Sequence, residues 1–143
     1  MAEFTNEIRI DAPADEVWAV VSAAERQAEW FPGMVSSTVE DGIRTIGTVA
    51  GGFFLEKILS VDHEQMRFDY TITGPLQFDH HLGSLHVESE GNASRVSYTQ
   101  ELRPEALTYA LRAATGDALS ALKDLLESGT YSRGFKAVPG EES

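Results

Sequence analysis

The 143-residue chain carries 23 acidic against 11 basic side chains, a formal net charge of −12, and no cysteine. That balance argues against nucleic acid and against anionic membranes, both of which call for a basic surface, and it implies a soluble, self-repelling exterior. The missing cysteines exclude disulfides, thiolate metal sites and cysteine nucleophiles, and no apolar run approaches the length of a membrane span.

A hydrophobic content of 42% is ordinary for a globular protein, and the length suits one domain with a true core. Met1 leads directly into a polar, strand-like segment, so no secretory signal is expected and a cytoplasmic location is the default. Glu3–Ile10 predicts a strand, with Phe4, Ile8 and Ile10 apolar between polar neighbours. The run Asp11-Ala12-Pro13-Ala14-Asp15 then turns the chain, with Asp11 or Asp15 available to cap a short helix carrying Val17, Trp18, Val20 and Val21. A second helical stretch, Ala24–Trp30, is closed by Phe31-Pro32-Gly33.

From Met34 the pattern changes to hairpins. Strands at 35–40 and 43–50 flank Asp41-Gly42, and Gly51-Gly52 makes the next reversal. Strands at 53–61 and 66–73 flank Asp62–Gln65, Gly74-Pro75 breaks the series, and strands at 78–88 and 94–102 flank Glu90-Gly91-Asn92. Phe68, Tyr70 and Ile72 share one face of their strand, as do Val96, Tyr98, Gln100 and Leu102; Arg67, Asp69 and Thr71, like Arg95, Ser97 and Thr99, share the other.

The last element is one long amphipathic helix from Pro104 to about Gly129. Leu107, Leu111, Ala114, Ala118, Leu122 and Leu125 recur at three- and four-residue spacing, and Gly116 interrupts the run as the anomaly. A single terminal helix needs a sheet to lie on. The expectation is an α+β domain over 1–129: a curved antiparallel sheet of about seven strands around that helix, two short helices after the first strand, and a flexible tail at 130–143.

This order of elements resembles the helix-grip fold of the START and birch-pollen-allergen (SRPBCC) superfamily. Within it, the chain is most similar to the branch labelled polyketide cyclase/dehydrase and lipid transport. The resemblance rests on Ile10-Asp11-Ala12-Pro13-Ala14-Asp15-Glu16-Val17-Trp18, on Trp30 and Pro32, on Glu56-Lys57-Ile58 with Val61-Asp62 and Tyr70, and on Gly83-Ser84 with Ser94-Arg95-Val96. Leu119, Leu122, Lys123, Leu125 and Leu126 complete it. It implies a fold more than a chemistry, because the superfamily includes aromatase/cyclases, lipid and hormone binders, hydroxylating-enzyme domains and chaperone co-regulators.

A curved sheet gripping one helix leaves a concavity, and a ligand site is expected there. Phe54, Ile58, Phe68, Tyr70, Ile72, Tyr98, Leu107 and Leu111 are the candidate lining residues, with Trp30 at the rim and Trp18 in the core. Glu56 shares strand parity with Phe54 and Ile58, so it points inward with them; among aromatics its pKa would rise, making it a candidate general acid or base unless a neighbouring Lys or Arg pairs with it. In plant hormone receptors of the superfamily the matching glutamate lines the pocket.

His80 and His81 fall on opposite faces of one strand. Leu85 and Val87 favour His81 as the inward residue, whereas the family resemblance favours Leu82 and Ser84, and with them His80. His81 is therefore kept with Glu56 and Tyr70 as a catalytic candidate, and His80 and Ser84 as ligand-binding ones. No metal site is assigned, since His80, His86 and an acid show no distinctive ligand spacing, and Ser84 has neither a triad nor a nucleophile elbow. Arg67 and Arg95 have outward parity, so no arginine is assigned to the pocket. The expected partner is a small hydrophobic molecule, without a cofactor, bound by a cyclase/aromatase/dehydrase, by a non-catalytic carrier or by a protein-interaction module on the same fold. Oligomeric state is not legible.

Overall fold

A computed structural model describes residues 1–128. The predicted tail at 130–143 and the helix stop at Gly129 lie outside the described residues. Seven antiparallel strands form one sheet: β1 (Ala2–Ile10), β2 (Met34–Glu40), β3 (Ile43–Thr48), β4 (Phe53–Asp62), β5 (Arg67–Gly74), β6 (His80–Glu90) and β7 (Ala93–Arg103). Their order, β1-β7-β6-β5-β4-β3-β2, follows from hairpin succession, with β1 returning to pair with the last strand. Between β1 and β2 lie the helix α1 (Ala14–Val21) and a 3-10 segment, Ala24–Glu29. The second predicted helix is thus a tighter and shorter element, ended where Phe31-Pro32-Gly33 turns the chain.

The turns obey their residue chemistry. Asp41 and Gly42 both take positive φ, 53° and 78°, as the two-residue hairpin between β2 and β3 requires. Asp62 Oδ1 accepts the backbone N–H groups of Glu64 and Gln65 at 3.0 and 2.9 Å, fixing the turn between β4 and β5. The β4–β5 pairing shifts register between Leu55 and Glu56 and again between Ile58 and Ser60. Such irregularities bend a strand, and here they curve the sheet on either side of Glu56.

The terminal helix is shorter than the sequence pattern predicts. Pro104 stays extended, at φ −72° and ψ 166°, Glu105–Leu107 forms a 3-10 turn, and α2 runs from Thr108 to Ser128. α2 lies against β1 and β7. Its C-terminal half buries Ala118, Leu119, Leu122 and Leu126 against Ile10, Val17, Trp18, Val20, Leu85, Val87 and Val96, the dry core of the molecule. Polar ties set its pitch on the sheet: Lys123 Nζ donates to the Arg9 carbonyl at 3.0 Å, and Asn6 Nδ2 donates to the Arg112 carbonyl at 3.1 Å and to Thr115 Oγ1 at 2.8 Å. Gly116 faces this Asn6, where an added Cβ would make ordinary contact at 3.7 Å. It leaves room beside a polar tie, not beside the cavity.

No helix among the described residues is long and apolar enough to cross a membrane.

Candidate functional site

The N-terminal half of α2 stands off the sheet, and a cavity of about 210 Å³ lies beneath it. Its walls are Phe31, Pro32 and Gly33 from the loop before β2, Met34 at the start of β2, Thr48 of β3, Phe54 and Glu56 of β4, and Tyr70 and Ile72 of β5, with Gln100 of β7 and Leu111, Ala114 and Thr115 of α2. Strand parity explains the set: positions 54 and 56, 70 and 72, and 100 all project from the face that α2 covers. Small side chains at 114 and 115 keep the helix from filling the space.

At the floor, Glu56 meets an arginine that the parity argument did not anticipate. Arg44 is 1% exposed and Glu56 2%. They are direct partners across the β3–β4 hairpin, and Arg44 Nε donates to Glu56 Oε1 at 2.7 Å. The guanidinium also donates through Nη1 to the Ala24 carbonyl at 3.3 Å, and it lies 5.2 and 5.5 Å from the Phe68 and Tyr70 ring centroids, over both faces. Burial pushes the Glu56 carboxyl above the usual carboxylate range, while the Arg44 charge and hydrogen bond pull the other way. Glu56 Oε2 accepts no hydrogen bond among the described residues, so one carboxylate oxygen remains for a ligand.

Beside it runs a chain of buried polar groups. The β5–β6 ladder pairs Arg67–Tyr70 with Gly83–His86 and stops at the Tyr70–Gly83 pair. Past that point the Ile72 N–H is taken by a side chain, His81 Nδ1, at 3.0 Å, and Thr71 Oγ1 donates to the His81 carbonyl at 2.6 Å. His81 Nε2 then faces Gln100 Oε1 at 2.7 Å, Gln100 Nε2 donates to the Tyr70 hydroxyl at 3.1 Å, and that hydroxyl lies 2.7 Å from the Tyr98 hydroxyl. Gly83 makes the chain possible: a Cβ there would come within 2.5 Å of Tyr70 Cζ, so the ring lies flat across β6 only because this position is glycine. Burial first, and the Glu56 charge second, hold the Tyr70 hydroxyl well above its ordinary pKa.

The predicted residues are distributed unevenly around this geometry. Glu56, Tyr70, Phe54, Ile72 and Leu111 line the cavity. Trp30, Ile58, Phe68 and Tyr98 pack in or against the hydrophobic core behind the walls; at the mouth it is Phe31, next to Trp30, that supplies the aromatic surface. Leu107 sits in the 3-10 turn before α2, short of the cavity. His80 is on the outer face, exposed and 3.1 Å from Glu101. Ser84 shares that outer face, opposite Asp69 and Thr99. His81 is the inward histidine, but both its ring nitrogens are already engaged, and burial lowers its pKa. Protonating Nδ1 would set an N–H against the Ile72 N–H, so His81 is a neutral structural link and not a proton carrier.

Besides wall residues such as Phe31, Met34, Thr48, Ala114 and Thr115, two polar residues at the floor and behind it escaped the sequence reading. Gln100 was placed inward without a role. Arg44 was missed although it shares parity with Ile46 and, two residues past the Asp41-Gly42 turn, faces Glu56 across the next hairpin. No cluster of three or more metal-ligating side chains occurs among the described residues.

Comparison with known proteins fits this layout. Residues 1–127 match the family described as polyketide cyclase / dehydrase and lipid transport. The chain belongs to that family. A search of curated proteins returned no significant match. Among solved structures, the chain is similar to the protein XoxI from Bacillus cereus, with a TM-score of 0.82 and 21% identity over 87% of this chain and 94% of that one. It also resembles the di-domain ARO/CYC protein BexL from the BE-7585A biosynthetic pathway, at TM-score 0.76 and 25% identity, covering 91% of this chain and 48% of BexL. Norcoclaurine synthase from Thalictrum flavum, solved with dopamine and hydroxybenzaldehyde, aligns at TM-score 0.67 and 19% identity, over 90% of this chain and 87% of that one. These likenesses show the helix-grip fold.

Proposed function

We propose that the protein binds a small, largely apolar carbonyl compound in this cavity and acts on it as a cofactor-independent cyclase/dehydratase. The observation that carries the reading is the free Oε2 of Glu56 on the same cavity floor as the Tyr70 hydroxyl. A carbonyl oxygen held by Tyr70 would place an adjacent C–H toward Glu56. Glu56 then takes that proton, and the C–H electron pair moves into an enolate whose charge the Tyr70 O–H stabilises. The enolate carbon closes a ring by attacking a second carbonyl of the same molecule, whose oxygen takes the proton back from Glu56 to become a hydroxyl; alternatively, a β-hydroxyl leaves as water, carrying the proton that Glu56 returns.

Volume narrows the ligand. A cavity of about 210 Å³ is larger than the ~150 Å³ engineered cavity that takes up benzene, so a single-ring compound fits. The likeness to an ARO/CYC protein and to a synthase solved with two single-ring aromatics supports this class without choosing within it.

A carrier reading is favoured by one observation, the Arg44–Glu56 ion pair, because a carboxylate neutralised by a guanidinium is a weaker base. Exchange of the methyl protons of acetophenone in D2O, followed by NMR, separates the two. Catalysis predicts exchange that saturates with acetophenone and is lost in Glu56→Gln while binding persists. Binding without any acceleration of exchange would leave the protein a carrier.

A further inference from the structure

The buried chain at the cavity floor has a direction, and that direction follows from counting donors. A backbone N–H can only donate, so His81 Nδ1 must accept from Ile72, and the ring proton must sit on Nε2. That N–H donates to Gln100 Oε1, which fixes the amide orientation and turns Gln100 Nε2 toward Tyr70 as a donor. The Tyr70 oxygen therefore already accepts one bond. Tyr98 is 0% exposed, and its hydroxyl has no partner other than Tyr70 among the described residues. Were Tyr70 to donate to Tyr98, the Tyr98 proton would be left buried without an acceptor, an arrangement costing more than an ordinary hydrogen bond contributes. If Tyr98 donates instead, the Tyr70 oxygen accepts twice and its own proton is released toward the cavity that Tyr70 lines.

We infer that Tyr98, Gln100 and His81 are positioning residues that lock Tyr70 as a hydrogen-bond donor into the cavity, so that the site selects ligands presenting an acceptor oxygen to its floor. Gln100 reinforces the selection: it lines the same cavity, and its second amide N–H has no partner among the described residues. Two donors converging on one oxygen suit a carbonyl, and they suit still better the oxyanion formed from it. The inference rests on the cavity being the ligand site, as proposed above, but not on catalysis.

The test compares acetophenone, which offers an acceptor oxygen, with ethylbenzene, which offers the same ring without one, by calorimetric titration of the full chain. Wild type should prefer acetophenone about tenfold, the worth of one or two net hydrogen bonds. Tyr70→Phe should bring the ratio toward one, and ethylbenzene affinity should stay within about twofold in every folded variant. Tyr98→Phe carries the sign. If Tyr98 donates to Tyr70, its loss weakens the Tyr70 donor and lowers the ratio to about threefold. If the bond runs the other way, the same substitution frees the Tyr70 proton and raises the ratio. A ratio that rises or stays unchanged in Tyr98→Phe overturns the inference, as does equal binding of the two compounds by wild type. Failure of both compounds to bind overturns the cavity reading and this inference together. Hydroxyl-proton NMR of wild type supplies a readout that needs no variant: the Tyr98 proton should exchange slowly and ignore acetophenone, whereas the Tyr70 proton should shift downfield on binding. The opposite assignment would overturn the polarity.

Discussion

The two halves of α2 lie on the same sheet and meet different surroundings. From Ala118 to Leu126 the helix presents Ala118, Leu119, Leu122 and Leu126 to a close-packed apolar core. From Thr108 to Asp117 it presents Leu111, Ala114 and Thr115 to a cavity whose floor is Glu56, Tyr70 and Gln100, with Arg44 buried behind Glu56. In the first half the leucines match the depth of the sheet. In the second, the small residues at 114 and 115 leave the sheet's polar groups uncovered. One helix thus serves as a core element at one end and as a roof at the other, and its side-chain sizes decide which.

The largest expected difference between the two ends comes from the buried charges. Arg44→Met leaves the buried Glu56 without its partner and should cost about 3–5 kcal/mol, whereas the double variant Arg44→Met with Glu56→Leu should recover most of that loss or exceed wild-type stability. Urea denaturation of the single and double variants reads this directly. A single substitution that costs no more than a surface change would mean that the pair is not buried as described.

A smaller effect separates His81 from the groups around it. Its folded pKa lies below the ordinary 6.5, so the unfolded chain binds a proton more readily. Above about 6.5 this group costs folding nothing; as pH falls from there through the lower folded pKa, stability is lost. Melting temperature should therefore decline from about pH 6.5 downward, and part of that decline should be absent in His81→Gln. A decline identical in the variant would show that His81 carries no such linkage.

The smallest effect is at Gly116. Because its Cβ position is open, with Asn6 at 3.7 Å, Gly116→Ala should stabilise the protein by about 0.5–1 kcal/mol. A destabilisation on thermal melting would mean that the Asn6 tie demands the bare backbone.

The fold was legible because it rests on periodicities. Alternation at 68–72 and 96–102, the Asp41-Gly42 turn and the leucine spacing of the last helix each act locally, and they agree with one another. Much of the site was not legible, for three physical reasons. Arg44 lies seven residues before Gly51-Gly52 and Glu56 four after it, so their pairing depends on hairpin register, which those glycines only loosely imply. Parity settles the face of a residue but not its depth, which is why Phe68, Tyr98 and Ile58 share the inward face with Tyr70 yet pack behind the cavity walls. At His81 the strands part, a fact invisible in either strand alone, and the ring that parity offers to a ligand is consumed by the Ile72 N–H.

The central claim is that the N-terminal half of α2 roofs a ligand cavity while its C-terminal half does not. Ala114→Phe against Ala118→Phe tests it, with acetophenone binding followed by calorimetry and folding by circular dichroism. Filling the cavity at 114 should abolish binding and leave the fold and its melting temperature intact, whereas overpacking the dry core at 118 should cost about 1–3 kcal/mol or more. An Ala114→Phe protein that binds acetophenone as wild type does would contradict the account.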